Sequence, residues 1–185
     1  MDRHRVLVTG ASGSGTTTLG RSLADRLRVP HADVDDYFWL PTSPAFSRKR
    51  DAADRVRLMA EVFLGRDSWV LSGSVMGWGD SLVPSFDLAV LLVLPPHTRL
   101  DRLRAREAVR YGPEIEVGGA RHAAHEEFMA WAASYDNPDF DGRTLRRHRQ
   151  WLRTLPCPVL ELDGDRTTAS LVEDVVRHAT EDAER

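Results

Sequence analysis

Lysine is all but missing from this chain. Of 25 basic residues only Lys49 is a lysine, so a role that ordinarily calls for an ammonium must pass to arginine or stay empty. Cysteine is as scarce. The single Cys157, set in Leu155-Pro156-Cys157-Pro158-Val159, excludes an internal disulfide framework and suits a reducing compartment. Neither sign of charge is in large excess. A net charge of −3 and an isoelectric point near 6.2 argue against a general electrostatic nucleic-acid binder. Long hydrophobic runs are absent too: the longest, Leu88 to Leu94, is strand-sized and far short of a membrane span. Met1-Asp2-Arg3-His4-Arg5 leads directly into Val6-Leu7-Val8, without the basic and apolar preamble of a secretory signal. These features predict a cytoplasmic protein with neither nucleic-acid nor membrane partners.

What remains is a chain of 185 residues, the length of one domain with a full core. Apolar strand-like runs alternate with amphipathic helical ones, which predicts an α/β fold with a mostly parallel five-stranded sheet between two helical layers. The strands are expected at 5–9, 31–34, 69–72, 88–94 and 158–162. Helices are expected at 16–28, 47–64, 96–110, 119–135, 143–155 and 168–181. Ser47 reads as the N-cap of the second, with Val56, Met59 and Phe63 as its buried face. Two polar segments, 40–47 and 111–121, interrupt the pattern as insertions would.

The densest chemical signal is Gly10-Ala11-Ser12-Gly13-Ser14-Gly15-Thr16-Thr17-Thr18, placed between the first strand and the first helix. Glycines let the backbone wrap without Cβ clashes, successive N–H groups point inward, and the helix N-terminus favours an anion. The spacing is that of a phosphate-binding loop, G-x-x-x-x-G-K-[ST], with Thr16 where the lysine should stand. Thr17 then holds the hydroxyl position that coordinates Mg²⁺ in such loops. A Rossmann G-x-G-x-x-G can be overlaid on Gly13 and Gly15, but its third glycine would be Thr18.

Ligands of an open parallel sheet gather at the carboxyl ends of its strands. After the second strand, Asp33 and Asp35 are predicted on one side of an extended segment. There Asp35 would act as general base and metal ligand, with Asp33 as its metal-side partner. After the third strand, Gly73, Gly77 and Gly79 suggest close backbone approach to a ligand, with Trp78 as a flat wall. The helix 96–110 sets Arg99, Arg102, Arg106 and Arg110 on one face; their mutual repulsion would be relieved by a polyanion. Lys49, in Ser47-Arg48-Lys49-Arg50, is a candidate for the charge the loop lacks. His122, His125 and Glu126 have helical spacing that permits a zinc site, without further ligands in context. Asp163 and Gly164 open the loop after the last strand, where Thr167 or Thr168 can cap the final helix.

On these residues the chain resembles the phosphate-loop small-molecule kinases, the superfamily of adenylate, cytidylate and shikimate kinases. The Gly13-Ser14-Gly15-Thr16-Thr17-Thr18 variant is similar to that of the archaeal type of cytidylate kinase, and Asp35-Asp36-Tyr37-Phe38-Trp39 to proteins called adenylate kinase-like or topology modulators. The resemblance implies ATP with Mg²⁺, an acceptor-binding insertion at about 36–64 and a lid at about 111–121 within one domain spanning residues 1–185. It implies phosphate contacts from residues 10–18 and Arg102, an adenine edge at Asp163-Gly164, and closure by Arg106 and Arg110. The D-G-[FY]-P-R motif of nucleoside-monophosphate kinases is replaced by Ser72-Gly73-Ser74-Val75-Met76, which has no arginine. The acceptor is thus either a nucleotide gripped by Arg48 or Arg50, or a neutral hydroxyl compound held against Gly73, Trp39 and Trp78. An inactive ATP-binding regulatory module is the alternative function, and the chain would be a monomer or homodimer. A GTP-binding switch would need an N-K-x-D guanine motif, which the sequence lacks.

Overall fold

The computed structural model describes residues 4–183. Five parallel strands form one sheet: β1 (Arg5–Gly10), β2 (His31–Asp33), β3 (Trp69–Ser72), β4 (Leu88–Val93) and β5 (Val159–Asp163), in the order β2-β3-β1-β4-β5. The central strands read as unbroken apolar runs because helices cover both their faces. Val6, Leu7, Val8, Ala89 and Val90 are at most 1% exposed. At the edge, β5 buries only Leu162, which is why its sequence alternates.

Successive strand residues serve opposite layers. Val6, Val8, Val70, Val90 and Leu92 pack on α1 (Thr16–Leu27) and α7 (Thr168–Ala183) through Leu19, Leu23, Leu171 and Val175. Leu7, Leu71, Ala89 and Leu91 pack the other way, against α2 (Val34–Phe38), α3 (Ala52–Met59) and α6 (Leu145–Leu152). Helices α4 (Pro96–Tyr111) and α5 (His122–Ala133) lie against each other. A 3₁₀ turn at Gly112–Ile115 and further turns join them across the segment expected as a lid. Among the described residues no helix is long and apolar enough to cross a membrane.

Two expectations fail locally. The stretch 47–64 is not one helix. Residues 48–50 lie back along 38–40, with Leu40 N–H donating to Arg48 O and Arg50 N–H to Phe38 O. Ser47 bonds Pro44 O instead of capping, and α3 starts only at Ala52, where the Asp51 carboxylate accepts from Ala53 N–H. The helix then ends in a π turn, Ala60–Leu64, that keeps Phe63 and Leu64 buried. The Asp33–Trp39 stretch is likewise not extended: Asp33 caps α2, its Oδ1 accepting from Asp35 N–H at 3.0 Å. A good N-cap residue directly after a strand starts a helix at once.

Gly73 is required by packing between these layers. Its φ is +117°, and a Cβ there would lie 2.6 Å from Val34 Cβ, so α2 can close on β3 only if residue 73 has no side chain. Gly73→Ala should therefore lower unfolding free energy by about 2 kcal/mol or more. Gly65→Ala, where φ is −69° and a Cβ meets nothing within 4 Å, should leave the urea midpoint unchanged or slightly raised.

Candidate active site

The turn between β1 and α1 is a cradle of backbone. Gly13 and Gly15 have φ of +83° and +94°. At Gly13 an added Cβ would strike Arg99 O at 2.5 Å, whereas at Gly15 it would meet only Leu92 Cδ2 at 3.8 Å and would project into the concavity. Ser14 turns inward, its N–H and hydroxyl both donating to Ala11 O. Helix α1 has no side-chain cap and no acid in its first turn, so its leading N–H groups remain available to an anion.

Beside the cradle, Thr17 Oγ1 donates to Asp33 Oδ2 at 2.6 Å. A hydroxyl and a carboxylate at the N-terminus of such a helix form a hard-oxygen donor set, the chemistry Mg²⁺ requires. It is Asp33, not Asp35, that the structure brings to Thr17. Asp35, in α2, sits differently. It is solvent-exposed by area, yet crowding by surrounding protein is the main cause that raises its pKa; the Asp33 charge adds to it, while a hydrogen bond from Trp39 and the cations Arg143 and Arg106 pull the other way. A carboxylate of raised basicity can accept a hydroxyl proton.

The arginine face of α4 is divided among separate tasks. Arg99 is 1% exposed. It donates to Ser12 O at 3.3 Å and Ala132 O at 2.9 Å and pairs with Asp136. Arg102 reaches Asp165 at 3.8 Å, on the loop where Asp163 Oδ1 accepts from Asp165 N–H and Thr167 Oγ1 from Ser170 N–H. Gly164 packs on Leu94 and Leu92, with its N–H on Val93 O. Arg106 pairs with Glu107 and lies 5.8 Å from the Phe128 ring centre. Arg110 lies 5.0 Å from that of Phe46 in the 40–47 segment, so the far end of α4 meets the insertion.

The residues expected to hold an acceptor form an aromatic group. Phe38 stands edge-on to Trp39 and Trp78, at 5.0 and 6.2 Å. The Arg55 guanidinium lies 3.8 Å from the Phe38 centre and 5.2 Å from that of Trp78. Arg50 is bound by its Nε to Tyr37 O, Arg48 is exposed, and Lys49 is exposed with its Nζ 6.0 Å from the Phe38 centre. His122 Nδ1 bonds Ile115 O, and among the described residues no group of three His, Cys, Asp or Glu side chains could hold a metal.

Sequence reasoning missed Arg143. It follows Gly142 in the loop before α6, its Nε is buried without a hydrogen-bond partner, and it lies 5.4 and 6.0 Å from the ring centres of Trp131 and Tyr135. Burial lowers its pKa, opposed by the charges of Tyr135 and Asp35. A lone arginine in a loop carries no periodic signal, whereas the stripe on α4 did. Also missed were Arg55 and a fully buried chain in which Thr9 Oγ1 bonds His148 Nε2 at 3.0 Å and His148 Nδ1 bonds the Tyr135 hydroxyl at 2.9 Å.

A β2-β3-β1-β4-β5 parallel sheet, a glycine cradle at the tip of β1, and a Thr17–Asp33 pair across to β2 define the P-loop small-molecule kinase type of α/β fold. No protein-family model matches the chain. It is 40% identical over 174 residues, 94% of this chain and 96% of the other, to the uncharacterized protein YqaC of Bacillus subtilis (strain 168). It is 29% identical to a cytidylate kinase of Methanocorpusculum labreanum, over 64% of this chain and 72% of that one. Among solved structures, a shikimate kinase from Acinetobacter baumannii in complex with shikimate superposes with a TM-score of 0.60 at 15% identity, covering 97% of this chain and 94% of its own. The chain belongs to the same family as YqaC, within the superfamily of P-loop small-molecule kinases.

Burial holds the His148 imidazole neutral, its pKa pushed down from 6.5 to about 3, with Arg143 adding to the effect. The unfolded chain takes up that proton below about 6.5, and the folded chain does not until about 3. Stability from this group is thus complete above 6.5 and falls with pH, at a limiting slope of ~1.4 kcal/mol per pH unit. His31, also lowered by burial, titrates in the same window. His148→Gln should flatten the urea-derived stability profile between pH 5 and 7 by nearly one proton relative to the wild type. Parallel profiles would mean that His148 is not held neutral.

Proposed function

We propose that the protein is an ATP-dependent phosphotransferase acting on a small molecule. The observation that carries this reading is the Thr17–Asp33 pair at the rim of an uncapped glycine cradle, with Asp35 two residues further on. Kinase relatives and the fold support the class.

In this reading the N–H groups of Gly13 and of residues 15–18 bind the triphosphate, and the loop after β5, including Asp163 and Gly164, lies along the base, with Arg102 fixed to it through Asp165. Thr17 and Asp33 are the residues that would hold Mg²⁺, with Asp35 close by. When bound, the ion supplies charge neutralisation of the phosphates. Asp35 accepts the acceptor's hydroxyl proton, and its raised pKa suits that task. Transfer in such enzymes depends on positioning and on stabilising charge. Thr16 contributes none. We assign the compensating charge to Arg143, a half-buried cation whose field, like that of Arg106, acts on Asp35; Lys49 lies on the exposed ribbon. The acceptor sits between Trp39, Trp78, Arg50 and the loop around Gly73. Arg55, sandwiched by Phe38 and Trp78, favours an acceptor with both a flat or apolar surface and an anionic group over a wholly neutral one.

The test is a coupled ADP-release assay with MgATP and a panel of nucleoside monophosphates, shikimate and gluconate. Turnover of at least one acceptor is expected. Asp35→Asn should cut that turnover by roughly 10²–10⁴-fold while leaving MgATP affinity nearly unchanged. Gly15→Val, which fills the cradle, should abolish MgATP binding in a folded protein. If MgATP stabilises the chain against heat and no acceptor is turned over, the regulatory-module reading takes the place of the enzyme.

A further inference from the structure

We infer that Thr9, His148 and Tyr135 form a buried positioning chain that locates the ring beneath Arg143 relative to the phosphate loop. The inference rests on the phosphotransferase reading above, in which Arg143 provides the cation that Thr16 does not.

Thr9 is the strand residue directly before Gly10, and it is fully buried, as is His148 on α6. The imidazole bridges the Thr9 hydroxyl and the Tyr135 hydroxyl, at 3.0 and 2.9 Å. A neutral imidazole has one donor and one acceptor nitrogen, so it can join two hydroxyls with every polar atom satisfied and no charge. The Tyr135 ring, at the C-terminal end of α5, has Arg99 5.5 Å and Arg143 6.0 Å from its centre. Arg99 returns to the loop by donating to Ser12 O. The ring beneath Arg143 is thereby located from the loop by two separate routes, one through Thr9 and one through Ser12.

Filling this volume with apolar side chains would avoid the desolvation of three polar groups. A satisfied polar chain fixes distances that apolar packing leaves adjustable. What it fixes here is the separation between the loop's root and the ring that carries Arg143. The charged groups acting on Tyr135 are Arg143, Arg99, Asp136 and Arg149. Arg99 and Asp136 are paired with each other, and Arg149 with Glu161. Arg143 is the remaining cation over the ring, with the Trp131 ring centre also 5.4 Å away.

The γ-phosphate is where this chain should be read out, because it separates MgATP from MgADP. Calorimetric affinities for both would be measured on the wild type and on Arg143→Ala, Tyr135→Phe, Thr9→Val, Thr9→Ser and the Tyr135→Phe/Arg143→Ala pair. The wild type should prefer MgATP. Arg143→Ala should reduce the preference about tenfold, the size of one charge-assisted hydrogen bond. Tyr135→Phe, which keeps the ring and loses only the hydroxyl, should give most of that loss with MgADP affinity within about twofold of wild type, and the double variant should be no worse than Arg143→Ala. Thr9→Ser should retain the preference that Thr9→Val loses. An equal loss of MgATP and MgADP affinity in Tyr135→Phe would make the chain mere support for the loop and overturn the inference. Intact preference in Tyr135→Phe alongside a lost one in Arg143→Ala would overturn it alone. Intact preference in Arg143→Ala would remove the role assigned to Arg143, and the positioning chain with it.

Discussion

A guanidinium shut away from water is the constraint on which the rest of the site depends. Arg99 is 1% exposed, and an ion in such surroundings is tolerated only where hydrogen bonds and an opposite charge meet it. Its partners come from three places in the sequence: Ser12 in the loop after β1, Ala132 at the end of α5, and Asp136 just beyond. Meeting the two terminal amino groups of one side chain, whose Nε stays buried without a partner, therefore ties the glycine cradle to the far end of the helix that follows the 111–121 segment. The same helix end carries Tyr135, and through it His148 and Arg143. Shifting α5 relative to the loop would strand a buried charge, so the elements move together or not at all.

The fold was legible because its signals are periodic or local. The apolar runs of β1 and β4 and the stripe Leu19-Leu23 on α1 leave little choice of element, and short βα turns impose a parallel sheet. Errors fell where a tertiary partner overrode the local pattern. Residues 47–51 have helical neighbours in sequence, yet hydrogen bonds to 38–40 draw them into a ribbon. Gly73 read as a place for a ligand's approach, when Val34 is what approaches.

Site legibility follows the same division. The cradle and the Asp33/Asp35 pair are written in consecutive residues and could be found by eye. His148 owes its importance to burial and to partners 13 and 139 positions away, and Arg143 and Arg55 owe theirs to rings brought over them by the fold, which no spacing encodes. The α4 stripe misled in an instructive way. Spacing of three and four placed its arginines on one face, but a face that crosses from core to surface buries Arg99 and exposes Arg106. Common orientation did not mean common function.

The scarcity of lysine and the aromatic contacts are two aspects of one solution. Arg55 lies over Phe38 and Trp78, Arg106 over Phe128, Arg110 over Phe46, and Arg143 over Trp131 and Tyr135. A planar, weakly hydrated guanidinium can lie on a ring and still present N–H groups at its edge, whereas an ammonium holds its water more tightly and swings on a flexible stem. A lysine in a phosphate loop brings its charge by local sequence alone. Arginines seated on rings bring theirs only when the elements bearing those rings are in place. In the proposed reading, with Thr16 in the loop, the cationic part of phosphate recognition becomes a property of tertiary structure, assembled from α4, α5 and the loop before α6. On the inference drawn above, that dependence is what makes a buried, uncharged chain from Thr9 to Tyr135 worth its desolvation.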